Sequence, residues 1–168
     1  MFGIGDVVVY GSQGVCKITA IDEKKFNREI KKYFVLKPVY DDRNTIFVPL
    51  DNPLLYSRLY SVLTEAEMTV LIDNIPNEEL LWFENELERK AQYKKVMSEG
   101  NRNNVSRIIK TLRQHRSKQQ QAGKKLHSSD EYVLKEAEKL LFDEIAFIFN
   151  LEPQNVVPFI EEKIGAVS

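Results

Sequence analysis

The chain has 168 residues, 43% of them hydrophobic and 29% charged, with a formal net charge of −1, which places it among ordinary globular proteins long enough to bury a core. No run of about 18 apolar residues is present, so the sequence predicts no membrane span. The lone Cys16 excludes an internal disulfide and forms no metal-ligand set with His115 and His127, so neither metal nor other cofactor is expected. The start shows no basic stretch followed by an apolar one, and cytoplasmic residence is the expectation.

Residues 6–10, Asp-Val-Val-Val-Tyr, are β-branched and aromatic and stop at Gly11-Ser12-Gln13-Gly14, whose glycines accept the positive φ of a tight turn. A strand and a hairpin turn are predicted. In 15–21, Cys16, Ile18 and Ala20 alternate with Lys17 and Thr19, the period of a half-buried strand. Residues 24–32 read as a charged connection, 33–37 as a third strand, 41–44 as a turn and 45–48 as a fourth strand. Pro49 cannot donate to a ladder, so that strand ends there or runs along an edge. The pattern predicts a small antiparallel β domain of the SH3 or Tudor type over residues 1–55. Its edge at 45–48 either offers unpaired backbone groups to a partner strand or is blunted by Pro49 and nearby charge.

The remainder, 62–166, reads as an all-α domain, giving an α+β protein in two parts. Thr64 and Glu67 have the spacing of a capping box for a helix over 65–74. Pro76 breaks it, and Asn77 with Glu78 and Glu79 predicts a second helix from there to about residue 98, ended by Gly100. A third helix over 102–118 buries Val105, Ile108, Ile109 and Leu112. Ser128 to Glu131 offers another capping box, opening a long helix that Asn150 ends, and 155–164 reads as a final short helix.

Charge is divided unevenly along the chain. From Arg89 to Lys125 there are 12 of the 24 Lys and Arg residues and only one acid, Glu99. Concentrated cations attract a polyanion, and with no Asn or Gln pattern set into a recognition helix the expected contacts are to backbone phosphates rather than bases. A solvated helix face is the bland alternative. Trp82 stands at the entrance to this segment. On a helical wheel Leu80, Phe83, Leu87 and Ala91 form the predicted core stripe, with Trp82 opposite them in line with Arg89 and Tyr93. Trp82 is then either packed against another element, the usual fate of a lone tryptophan, or an apolar wedge for the minor groove. No GxxxxGK[ST] loop or nucleophile–base set is present, and no enzymatic activity is expected.

The run FGIGDVVVYGSQGVCKI at 2–18, YFVLK at 33–37 and Val48-Pro49 resemble the CarD/CdnL family of bacterial transcription regulators, whose sheet also occurs in transcription-repair coupling factors. Trp82, Arg89-Lys90, SEGN at 98–101, IIKTLRQH at 108–115 and GKKLHSSDE at 123–131 are similar to its clostridial branch. The resemblance implies a Tudor-like domain that docks on the RNA polymerase β subunit. It also implies a helical domain whose tryptophan wedges the minor groove of promoter DNA, without sequence specificity, at the upstream edge of the bubble, stabilising the open complex. Carried onto this chain, the polymerase contact falls on Lys24, Phe26, Ile46 and Phe47. Phe47 stands where actinobacterial relatives have a basic residue, which implies an apolar or main-chain contact. The wedge falls on Trp82 by the clostridial spacing and on Glu86 by a gapless count from the glycine of actinobacterial members. Arg89, Lys90, Lys124 and Lys125 are the implied phosphate contacts, with Lys110 and Arg113 on the outer face of the following helix. A nucleoid-associated regulator is the expectation. The competing reading is a protein adaptor whose sheet docks one partner and whose basic helices bind an acidic protein surface.

Overall fold

Val8 and Val9 are neighbours in the first strand, point to opposite faces of a sheet, and are both buried. The computed structural model describes residues 1–41 and 43–165; Asp42 of the turn cluster and the side chains of Ser12 and Phe26 lie outside the described residues. Within it, β1 (Val7–Tyr10), β2 (Val15–Phe26), β3 (Glu29–Pro38), β4 (Ile46–Pro49) and β5 (Leu59–Ser61) form an antiparallel sheet in the order β4-β3-β2-β1-β5. One face gathers Val8, Cys16, Ile18, Phe34, Leu36, Val48 and Leu59 into a core inside the bent sheet. The other presents Val9 and Val15 to the helices, in one continuous cluster with them. The unbroken Val-Val-Val run therefore marks a strand buried on both faces.

Two stretches differ from the sequence reading. Residues 24–32 are not a loose connection: β2 and β3 continue as a long hairpin closed by Asn27 and Arg28, both at positive φ, the backbone of a two-residue hairpin turn. Without glycine the turn gave no signal. A bulge between Ile18 and Ala20 bends the ladder. The sheet also runs past residue 55, because after α1 (Pro53–Tyr56) the fifth strand returns to pair with β1, Val8 opposite Ser61.

The helical half contains α2 (Glu65–Asn74), α3 (Glu86–Glu99), α4 (Arg102–Gln121), α5 (Ser128–Phe149) and α6 (Val156–Lys163). The Thr64–Glu67 capping box is present, Gly100 at positive φ ends α3, and Asn150, also left-handed, ends α5. A Cβ on Gly100 would fall inside the Tyr60 ring, whose hydroxyl donates to the Ser98 carbonyl at 2.7 Å. Glycine is thus required there twice, for φ and for space. The α5 cap is His127 rather than the Ser128 box: its side chain accepts from the Ser129 N–H, and Asp130 is drawn inward instead.

The expected helix over 77–98 is the main correction. Helix α3 starts at Glu86, capped by Asn85, and residues 78–85 carry no helix or strand. Both Asn77 and Asn85 precede acids, so both read as caps. Side chains of the neighbouring helices select the second. The Thr111 hydroxyl accepts from the Leu81 N–H at 2.8 Å, Tyr93 donates to the Leu81 carbonyl at 2.6 Å, and Arg89 to that of Phe83 at 2.9 Å. Those backbone groups are unavailable for a helical ladder. The buried stripe of α3 is consequently Arg89, Tyr93 and Met97, whereas Leu87 is 79% exposed and Ala91 is exposed too.

A buried polar cluster also joins the two halves. Arg102 donates to both Glu144 oxygens, at 2.9 and 3.1 Å, and to the carbonyl of Ser61 in β5 at 2.7 Å, while Glu144 accepts from the Leu63 N–H at 2.9 Å. Glu144 is fully buried and Arg102 nearly so. Neither side chain leaves a buried nitrogen or oxygen without a hydrogen-bond partner.

Candidate functional site

Strand β4 is an outer strand, paired with β3 alone among the described residues. Its residues alternate: Ile46 packs against the sheet core, and Phe47, opposite Val35, is 41% exposed. The Lys24 ammonium lies 4.0 Å from the centroid of the Phe47 ring and 5.8 Å from that of Tyr33. An apolar ring with a cation over it, beside an outer strand, is a compact recognition feature. Of the four residues expected in a protein contact, Lys24 and Phe47 are thereby brought together, whereas Ile46 faces the sheet core. The side chain of Phe26 lies outside the described residues, and its backbone pairs with Glu29.

The structure divides the 12 cations of the basic segment by chemistry. Arg89 is buried on Asp130 and Arg102 on Glu144; Arg113 meets Glu138 at 2.9 Å and Arg116 meets Glu131 at 3.4 Å. Arg107 donates to the Glu79 carbonyl, and the Lys110 ammonium to those of Ile75, Pro76 and Glu78. The planar guanidinium fork suits such fixed pairing. Lys90, Lys94, Lys95, Lys118, Lys124 and Lys125 are exposed and make no ion pair among the described residues. Of the expected phosphate contacts, then, Lys90, Lys124 and Lys125 have free ammonium groups. Arg89, Lys110 and Arg113 are held by groups of the protein itself.

Trp82 lies in the extended segment before α3, half-buried. Its ring centroid is 4.2 Å from that of His115 at an interplanar angle of 31°, the Arg89 guanidinium carbon lies 4.3 Å from it, and its Nε1 donates to Glu84 at 3.2 Å. The alignment with Arg89 is real, although it arises from a chain folded back over α3 rather than from one helix. Arg89 fixes the indole. Glu86, the alternative position for a wedge, is exposed in the first turn of α3 and lies 3.3 Å from His127.

Residues 2–60 match the CarD-like/TRCF RID domain. The amino-terminal sheet is thus similar to that domain family. RID domains are RNA polymerase β-interacting domains. The match reaches into β5. It leaves the helices outside. No curated protein matches the chain. Among the described residues no helix is long and apolar enough to cross a membrane, and no group of three or more His, Cys, Asp or Glu is placed to hold a metal ion.

Sequence reasoning missed the role of the buried acids Asp130 and Glu144, which withdraw Arg89 and Arg102 from the free cations. A faint signal exists for Glu144, which stands inside an apolar helical run where a carboxylate requires a partner; Asp130 reads as an ordinary first-turn acid.

Proposed function

We propose that this protein is a non-enzymatic transcription regulator that docks on the RNA polymerase β subunit through the β4 edge of its RID domain. We further propose that it lays its helical half on promoter DNA at the upstream edge of the bubble, lengthening the life of the open complex. The observation that carries the reading is the Phe47–Lys24 pair beside an outer strand of a domain from a β-interacting family. Strand addition supplies affinity through main-chain bonds, and the exposed ring supplies specificity. The free lysines support a phosphate contact without base reading. Trp82, already held by His115 and Arg89, enters a distorted base step with little conformational entropy left to lose. The protein would work in the cytoplasm, on the nucleoid.

The test is the lifetime of the polymerase open complex without the protein, with it, and with Trp82→Ala after its fold has been verified by circular dichroism. The intact protein should lengthen the lifetime and Trp82→Ala should not. An unchanged lifetime with the intact protein, despite measurable docking on β, would sink the open-complex reading and favour an adaptor.

A further inference from the structure

Tyr132, in the second turn of α5, is 64% exposed and stands on a ridge between two clefts that share it and Ser128. The first cleft, about 650 Å³, opens between α3, the start of α5 and the Gly11 turn of the sheet, and is lined by Arg58, Lys90 and Lys94 against the carboxylate of Glu136. The second, about 770 Å³, opens between the end of α4, the 125–126 loop and α5. It is lined by Arg116, Lys125 and Lys135 against Glu131, which Arg116 already engages. Each cleft therefore has three cations to one carboxylate. Trp82 is stacked on His115 and Arg89, whereas the Tyr132 ring has no stacking partner among the described residues.

We infer that Tyr132 is a stacking platform for an unpaired base, with the phosphates on either side of that base lying in the two basic clefts. An aromatic face between two cationic channels is the arrangement that holds a single strand, since every base has a π-face and the backbone is tracked by charge. Paired bases cover one another's faces, so a ring on a ridge gains little from an intact duplex. The Glu136 carboxylate beside it pushes the Tyr132 hydroxyl pKa up, so the phenol stays neutral beside phosphate. The inference rests on the promoter-DNA reading and adds which strand state the helical half recognises. It makes no use of the Trp82 wedge.

The experiment is fluorescence anisotropy of a labelled oligothymidine and of the same strand in duplex, titrated at low salt with the full chain, Tyr132→Phe and Tyr132→Ala. The intact protein should prefer the single strand, and Tyr132→Phe should bind alike. Tyr132→Ala should lose roughly tenfold on the single strand, the size of one lost stacking contact, and about twofold or less on the duplex. Equal binding of Tyr132→Ala and wild type to the single strand overturns the platform, as does an equal loss on both substrates. If the intact protein binds neither substrate, the DNA-contact reading falls as well, and the two failures are thereby told apart. Because Tyr132 is exposed, its variants should melt like wild type.

Discussion

Arg89 and Asp130 are joined by two parallel hydrogen bonds, Nε to Oδ1 at 2.8 Å and Nη2 to Oδ2 at 2.7 Å, in a pair that is about nine-tenths or more buried. The pair ties α3 to the start of α5, and the hydrogen bond to Asp130 pushes the guanidinium pKa up. Removing one partner of a buried ion pair strands the other. Arg89→Ala is therefore expected to cost about 3–5 kcal/mol in urea unfolding. Arg89→Lys should recover little of it, since an ammonium cannot span both carboxylate oxygens. Emission of the single tryptophan should shift in Arg89→Ala, because the cation leaves the Trp82 ring. A loss below about 1 kcal/mol would instead match an exposed pair.

The six exposed lysines carry the expected salt dependence. If four to six of them meet phosphates, log affinity for DNA should fall against log salt with a slope of roughly −4 to −5. Lys90→Gln with Lys94→Gln should reduce the slope by about 2, each neutralised contact removing about 0.9. Arg113→Gln, whose cation is spent on Glu138, should leave the slope unchanged. A larger fall for Arg113→Gln than for the lysine pair would show the division of cations to be wrong.

Phe47→Ala is expected to weaken binding to the polymerase β subunit by about tenfold or more, the effect of losing a central aromatic anchor. Lys24→Ala should weaken it less, because it removes the cation over the ring and leaves the ring itself. Titration calorimetry with the isolated β lobe measures both. Stability should change little, since Phe47 packs mainly outward.

Asp143 on α5 lies against the turn of the sheet at Gly14, where an added Cβ would meet its Oδ2 at 3.4 Å. Burial pushes its carboxyl up to about 6, with Lys139 opposing the shift. Between the unfolded pKa near 4 and about 6 the native state holds a proton that the unfolded chain has lost. Its contribution is full below that window and is lost as pH rises through about 6. Melting temperature should accordingly drop across that range, and Asp143→Asn should flatten the drop and melt above wild type near neutral pH. Identical pH profiles for the two proteins would overturn the assignment.

What the sequence made legible follows from which interactions are local. The Thr64 box, the Gly100 stop, the Asn150 stop and the β4 boundary at Pro49 each depend on a few adjacent residues, and their chemistry is written in those residues. The start of α3 is not local. Asn77 and Asn85 are equivalent as caps, and the choice is made by Thr111, Tyr93 and Arg89 reaching across to residues 81–83. The hydrophobic wheel failed for the same reason: Leu87 looks like core and stands in water, while a buried arginine occupies the inner stripe because Asp130, 41 residues away, accepts it. Residue type told which groups were cationic. Which of them were free depended on pairing that no spacing reveals.

The Arg102–Glu144 cluster, bonded to Ser61 and Leu63 at the junction of sheet and helices, makes the molecule a caliper rather than two beads on a string. Were one jaw seated on polymerase at Phe47 and the other on promoter DNA, as proposed, the spacing between the two contacts would be set by the shape of this chain.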